Sequence, residues 1–555
     1  MRSTRKIIME SLPESLRIIL SLCIILAVTN KINCQPTAVL GNNQIIGMRV
    51  EASGKPVSQF LSIPYAEPPL GNLRFKKPIP PQHIPNVYSA VNTPAACWQS
   101  SEYPFPWFDS SPGKSEDCLY LNIWTPDGAS PQNKKAVIYF IHGGGYRYGS
   151  IRQQIYNGAP LAAVGDVVVV TVNYRLGPFG FFTTGTEDAP GNVGLYDILE
   201  GLKWVNRNIG AFGGDSSMIT LAGQGAGSVA VGLLSTSPLA KGLYQRQIME
   251  SGSPARPYSN SINVNSKLSQ KIAEGLYCAN KTYTLQQHPT EVLNCLRSAS
   301  AEGLSDATAT IKPLSSVNFI PQFGDDLLPV DPQQAVQNQN IMCTDVLIGN
   351  TLDEGSFQIT TKNPYLFGFF GEREPDISKT TGENMIRKMF KSYSNPDAIA
   401  QLYLPSTLSN NSYDEVREHV YAASGDASIV CPTTYYAEKC ASGGGNVYYY
   451  VWRRRPTNSP WNFWMGATHF SEVEFVFGMP MIHPDFFQPD EVQISMNVIA
   501  IWSNFAKTGR PGIPWPKFQP QKPNLKYLGP GVATDHNDVG FHSKYCDFFR
   551  PYFGF

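Results

Sequence analysis

Residues 223–227 read Gly-Gln-Gly-Ala-Gly. They follow a strand-like run, 218–222, and open a helix-like run, 226–234. A glycine-bracketed residue on a sharp strand-to-helix turn is how hydrolytic nucleophiles are presented, in the pattern Gly-x-Ser-x-Gly. The outer glycines let the turn close without side-chain clashes, and the central residue stands at the edge of the sheet. Here that residue is Gly225, which has no hydroxyl and cannot form an acyl intermediate. Ser228 lies inside the helix-like run and is expected to face elsewhere. Upstream, His142-Gly143-Gly144-Gly145 follows another strand-like run, 136–141. Such a loop offers backbone N–H groups to a developing oxyanion, here from Gly144 and Gly145 together with Ala226 after the elbow. Either glycine loop alone is a common turn. Together, and in this order, they point to acyl-transfer machinery whose central position carries no nucleophile.

The elements around these loops alternate. Short β-branched or aromatic runs at 119–124, 136–141, 167–172, 218–222, 247–249, 346–348 and 447–452 read as strands. Between 192 and 210, Leu195, Ile198, Leu199, Leu202, Val205 and Ile209 recur at helical spacing. Strand and helix in alternation predict an α/β protein with a largely parallel sheet covered on both faces. The less regular stretch 255–445 is expected to hold insertions and helices that cap the active edge of the sheet. The chain has 555 residues, of which 42% are hydrophobic and 16% charged, so it can bury a core and is not disordered. Its 44 basic and 44 acidic residues give no electrostatic reason to expect a nucleic-acid or anionic-lipid partner. No apolar run approaches the roughly 20 residues that a membrane span needs, which excludes an integral channel or transporter.

Arg2, Arg5, Lys6 and Arg17 precede a short apolar run at 18–28, as in a secretory signal peptide cleaved after Cys34. A short signal-anchor is the alternative. Removing residues 1–34 takes away five basic and two acidic residues, leaving 39 against 42, a formal charge of −3. Secretion makes the ten cysteines disulfide candidates before they are metal ligands. No Cys-x-x-Cys pair occurs, which argues against zinc, and no metal or cofactor is called for. Asn280-Lys281-Thr282 and Asn410-Asn411-Ser412 are glycosylation sequons.

Further segments carry a resemblance: Ile63-Pro64-Tyr65-Ala66-Glu67-Pro68-Pro69, Ser115-Glu116-Asp117-Cys118-Leu119-Tyr120-Leu121-Asn122, Asn173-Tyr174-Arg175, Gly191-Asn192-Val193-Gly194-Leu195-Tyr196-Asp197 and Phe212-Gly213-Gly214-Asp215. With these and the two glycine loops, the chain resembles the cholinesterase/carboxylesterase family of the α/β-hydrolase fold, from about Thr37 to its end. The resemblance implies one domain, 35–555, behind the leader. It implies that Glu354 is the acid orienting His469, the general base, in the chain order nucleophile, acid, histidine. It places Phe319, Phe357 and Trp107 among pocket aromatics able to hold a quaternary ammonium by cation–π attraction. Val317, Tyr258 and Gln358 stand where aromatics are usual, and Gln224 stands where glutamate is usual, removing a negative charge from the pocket floor. Arg147 would add positive charge, against a choline ligand.

The same resemblance implies the disulfides Cys97–Cys118, Cys278–Cys295 and Cys431–Cys546, and buried framework ion pairs Arg74–Glu116 and Arg175–Asp197. Cys343 and Cys440 are left free or paired with each other. Two functions follow. One is a secreted, catalytically impaired esterase homologue that binds a small ester or choline-like ligand, or an extracellular protein. The other is an active secreted carboxylic-ester hydrolase. A homodimer is compatible with either. The elbow residue must hold a strained backbone, which glycine adopts with little penalty, so Gly225→Ser is expected to lower stability slightly.

Overall fold

The computed structural model describes residues 35–99, 113–257, 261–311, 319–530 and 537–555. The expected leader, Trp107, Val317 and Tyr258 lie outside the described residues. The frame is an 11-stranded sheet. Its strands are β1 (Met48–Ala52), β2 (Lys55–Pro64), β3 (Tyr120–Pro126), β4 (Lys135–Ile141), β5 (Val168–Val172), β6 (Gly214–Gln224), β7 (Arg246–Glu250), β8 (Asp345–Thr351), β9 (Val447–Trp452), β10 (Asn524–Leu528) and β11 (Asn537–Val539). Across the sheet they run β1-β2-β3-β5-β4-β6-β7-β8-β9-β10-β11. From β5 to β10 all neighbours are parallel, while β1, β2, β3 and β11 pair antiparallel at the two edges.

A strand buried on both faces sends alternate side chains to two cores. In β4, Val137, Tyr139 and Ile141 enter one apolar cluster, and Ala136, Ile138 and Phe140 enter the other. The second cluster is covered by α1 (Ala159–Gly165) and by the long helix near the C-terminus, Pro489–Thr508. The first takes α2 (Val193–Asn208), whose Leu195, Ile198, Leu199, Leu202 and Val205 form the predicted buried stripe. It also takes α3 (Ala226–Ser235), which is buried nearly all round. After β8 come α4 (Glu354–Lys362), α5 (Tyr413–Gly425), a π-helical turn (Asp426–Val430) and α6 (Cys431–Ser442). Pro489–Thr508 is α7, and α8 (Ser543–Phe553) closes the chain.

The three disulfides form as the resemblance implies: Cys97–Cys118, Cys278–Cys295 and Cys431–Cys546, the last tying α8 to α6. Cys343 and Cys440 are free thiols with their sulfurs 2.8 Å apart. Both framework ion pairs are buried. Arg175 reaches Asp197 through Nε and Nη2 at 2.7 Å each, and Arg74 reaches Glu116 through Nε at 2.7 Å. The sequons are exposed at Asn280 and Asn410. No helix among the described residues is long and apolar enough to cross a membrane.

Candidate active site

The turn at the end of β6 is as sharp as its glycines require. A Cβ on Gly227 would meet the carbonyl oxygen of Ile141 at 2.0 Å, and one on Gly223 would meet the backbone of Gly227 at 2.5 Å. Gly225 sits between them at φ +56° and ψ −118°, a conformation that L side chains rarely adopt. Its N–H donates to the Glu250 carbonyl (2.8 Å) and its carbonyl accepts from Val229 (3.0 Å), so the turn is pinned on both sides. Ser228 is fully buried and donates to the Gly252 carbonyl at 2.5 Å, away from the site as expected.

His469 stands over the elbow. A Cβ at position 225 would lie 3.1 Å from its Nε2. Its Nδ1 is 2.6 Å from Oε2 of Glu354, the first residue of α4. The other Glu354 oxygen accepts from the Thr351 N–H at 2.7 Å, which fixes the carboxylate to the end of β8. His469 Nε2 lies 3.2 Å from the side-chain amide nitrogen of Gln224. With that amide donating, Nε2 accepts and Nδ1–H donates to Glu354. Burial lowers the affinity of His469 for a proton, but the charge and hydrogen bond of Glu354 outweigh it and hold the ring above the ordinary histidine range.

Asp353 joins the two loops. Its N–H donates to the Ala467 carbonyl (3.1 Å), and its carboxylate accepts from the Ala467 N–H (2.8 Å) and from Tyr421 (3.0 Å). The segment carrying His469 is thereby stitched to the turn carrying Glu354. Gly466 (φ +65°) is obligatory there, because its Cβ would strike the Asp353 carboxylate.

Gly144, Gly145, Ala226, Gln224, Gly225 and His469 all line one cavity of about 320 Å³. The N–H groups of Gly144, Gly145 and Ala226 bond to no acceptor among the described residues. Phe357 lines the same cavity, stacked on His469 with centroids 6.0 Å apart and edge-on to Trp461 at 5.3 Å. Gln358 also lines it, bonded to Ser428 of the π-helical turn (2.7 Å). Phe319 needs correction. It is packed into the main apolar cluster with 3% of its surface exposed, and its neighbour Ile320 takes the place on the cavity wall. Among the described lining residues the arginine is Arg256, not Arg147. His142 is buried, stacked on Tyr174, and pushed down to about 4 by that burial, so it stays neutral within the loop.

The sequence pattern also left two buried acids unmarked. Glu250 ends β7 and accepts from Trp502 (2.8 Å); Glu472 lies three residues past His469 and accepts from Ser251 (3.4 Å). One oxygen of each has no partner among the described residues. Burial pushes Glu250 up to about 8. Burial and the neighbouring Glu250 hold Glu472 well above the ordinary carboxylic range. The available signal was an acidic residue directly after the strand-like run 247–249.

The sequence model of the carboxylesterase family matches residues 35–548. The chain belongs to that family. It is 38% identical over 530 residues to acetylcholinesterase-1 of Trittame loki, covering 91% of this chain and 92% of the relative. It is 32% identical over 535 residues to a cholinesterase of Mus musculus (92% and 85%) and 34% identical over 492 residues to an acetylcholinesterase of Bungarus fasciatus (85% and 79%). The mixed sheet with helices on both faces is the α/β-hydrolase fold of the carboxylesterase family.

Proposed function

We propose that this carboxylesterase-family protein is a secreted binder of a small ligand and does not turn it over. The observation that carries the reading is Gly225. The residue at the elbow, beneath His469, offers no hydroxyl, and the amide of Gln224 occupies the hydrogen-bonding position of Nε2. Glu354 and His469 are then the retained acid and base positions, with Gly144, Gly145 and Ala226 as the retained oxyanion donors. Removing a triad nucleophile costs on the order of 10⁶ in kcat. Residues 1–34 as a signal peptide, three disulfides and two exposed sequons at Asn280 and Asn410 support secretion and glycosylation. An extracellular protein partner and a homodimer are compatible with the same reading.

A second reading, ester hydrolysis by water taken up at His469, is favoured by the 2.6 Å Glu354–His469 contact, which is what a general base needs. One experiment separates them. The purified protein is assayed with p-nitrophenyl acetate and acetylthiocholine, and exposed to a fluorophosphonate probe. The binder reading expects background hydrolysis and no label. Turnover would overturn it, and covalent labelling would mean that an unrecognised nucleophile is present.

A further inference from the structure

Two thiols stand apart from the cavity and from the three bridges. Cys343 lies in the lead-in to β8 and is partly exposed, while Cys440 lies in α6 and is fully buried. They are 97 residues apart in the chain, and their sulfurs are 2.8 Å apart. A formed disulfide has its sulfurs about 2.05 Å apart, so closure asks for a shift of less than about 1 Å. Both backbones are pinned. The Cys343 N–H donates to the Ile341 carbonyl (3.0 Å), and that of Met342 donates to the Ser235 carbonyl (2.8 Å). The Cys440 carbonyl accepts from Gly445 (3.0 Å), and Val346 donates to the Asn446 carbonyl (2.8 Å). The chain leaving α6 comes close enough to the lead-in that a Cβ on Gly445 would meet the Thr344 carbonyl oxygen at 2.7 Å. The backbone thus holds the two sulfurs together. Every other described cysteine is already bridged. Among the described residues, no group of three His, Cys, Asp or Glu side chains could share these sulfurs with a metal ion.

We propose that Cys343 and Cys440 are the site of a fourth disulfide, made in the secretory pathway, which staples the C-terminal part of α6 to the lead-in of β8. The proposal rests on the secretion part of the reading above, because disulfides persist in oxidising compartments. The chemistry is exchange with an external disulfide, that of glutathione or of an oxidoreductase. Cys343 is the point of entry, since Cys440 has no exposed surface. Its thiolate attacks one sulfur of the external disulfide, forms a mixed disulfide and releases a first thiol. Cys440 then gives up its proton, its sulfur attacks that of Cys343, and the second thiol leaves. Two protons and two electrons pass to the external disulfide, which is reduced to two thiols. Burial, and then the neighbouring Cys343, push the Cys440 thiol up, which keeps it unreactive toward anything but the sulfur beside it. With the bridge closed, α6 is tied at Cys431 to α8 and at Cys440 to the start of β8. The far end of β8 is where Thr351 fixes the Glu354 carboxylate.

Peptide mapping tests the cross-link. The natural full chain, secreted by cultured eukaryotic cells, is unfolded, alkylated with iodoacetamide without reductant, and digested with trypsin. Cleavage after Lys439 separates Cys440 from Cys431. The Cys343 and Cys440 peptides should be recovered joined to each other, with neither cysteine alkylated. Cys343→Ser should open Cys440 to alkylation. Cys440→Ala should open Cys343 to alkylation or to capping by glutathione, and it keeps the test decisive if Cys343→Ser fails to fold. Both cysteines alkylated in the secreted natural protein, or Cys343 capped by glutathione with Cys440 alkylated, overturns the proposal. A chain retained inside the cells would overturn the secretion reading instead. The cross-link is then decided on the purified chain in a buffer of reduced and oxidised glutathione at the poise of the secretory pathway. Failure to join the two peptides there overturns the proposal on its own.

Discussion

Among the described residues, two histidine–carboxylate pairs share the same geometry. Glu354 and His469 meet at 2.6 Å through Nδ1, and so do Asp426 and His542. In both, burial opposes protonation of the ring, and the facing carboxylate reverses this and raises the histidine above its ordinary range. What differs is the second carboxylate contact and what lies past the ring. Asp426 also accepts from Tyr403 at 2.6 Å, and His542 is stacked on Phe541 at 4.1 Å. That pair braces the π-helical turn Asp426–Val430 against α8, beside the Cys431–Cys546 disulfide. Asp426 and His542 line a cavity of about 200 Å³ that holds neither the elbow nor the glycine loop, whereas His469 faces the glycine elbow and the N–H groups of Gly144, Gly145 and Ala226, which have no acceptors among the described residues. A carboxylate-oriented imidazole is thus a structural joint or a chemical one according to what stands at Nε2.

The largest effect that would break this contrast is at the elbow. Gly225→Ser puts a hydroxyl where Nε2 can accept its proton. On the proposed roles of Glu354, His469 and the N–H groups of Gly144, Gly145 and Ala226, it should raise p-nitrophenyl acetate hydrolysis by at least about 10²-fold and confer fluorophosphonate labelling. Failure to gain either would mean that Gln224 or the cavity wall has closed the site to chemistry, and that the two pairs are both structural.

Next comes the joint itself. Asp426→Ala leaves a buried tyrosine hydroxyl and a histidine without their acceptor, and should cost about 3 kcal/mol in chemical unfolding. A loss under about 1 kcal/mol would show that the Cys431–Cys546 disulfide alone holds the segment. Smaller again, Gly225→Ala isolates the backbone effect at the elbow without adding chemistry. A side chain at φ +56°, with Cβ 3.1 Å from the imidazole, should cost about 1–2 kcal/mol. A raised unfolding midpoint would contradict the strain argument.

The two pairs also mark the limit of what the sequence reveals. The elbow, the glycine loop 142–145 and the parallel strands were legible because glycine spacing and apolar runs are local signals. The run at 447–452 is β9 to the residue, and β4 begins one residue earlier than its apolar run. The edge hairpin β1–β2 gave no such signal, because β2 starts Lys-Pro and mixes polar residues through its length. Glu354 and His469 came from family motifs. Asp426 and His542, 116 residues apart in the chain, carry no motif, and only the packing of α8 on the turn brings them together. The cavity wall was harder still. Adjacent residues Phe319 and Ile320 divide between core and cavity, and which arginine reaches the lining, 147 or 256, depends on loop paths that no periodicity encodes.

The smallest effect, and the one that tests whether the pairs are electrostatically alike, is the pH dependence of stability. A histidine whose proton is held more tightly in the folded state contributes stability that is fully present below its unfolded value of about 6.5. That contribution is lost as pH rises through the folded value. The stability difference between the natural protein and His542→Asn should therefore be largest in mild acid and shrink as pH rises past neutrality. His469→Asn should give a difference of the same sign. The groups facing His542 are Asp426 and Asp353. Burial pushes Asp353 up to about 6, so its own contribution falls in a lower window, from about 4 to 6, and again favours the acidic side. It is common to the natural protein and both variants, and cancels to first order in the differences. Denaturant titrations at closely spaced pH values read the two windows separately. A His542 difference that stays flat across neutrality would mean that the ring is neutral in the folded protein, bonded to Asp426 without carrying charge. The likeness between the two pairs would then end at their geometry.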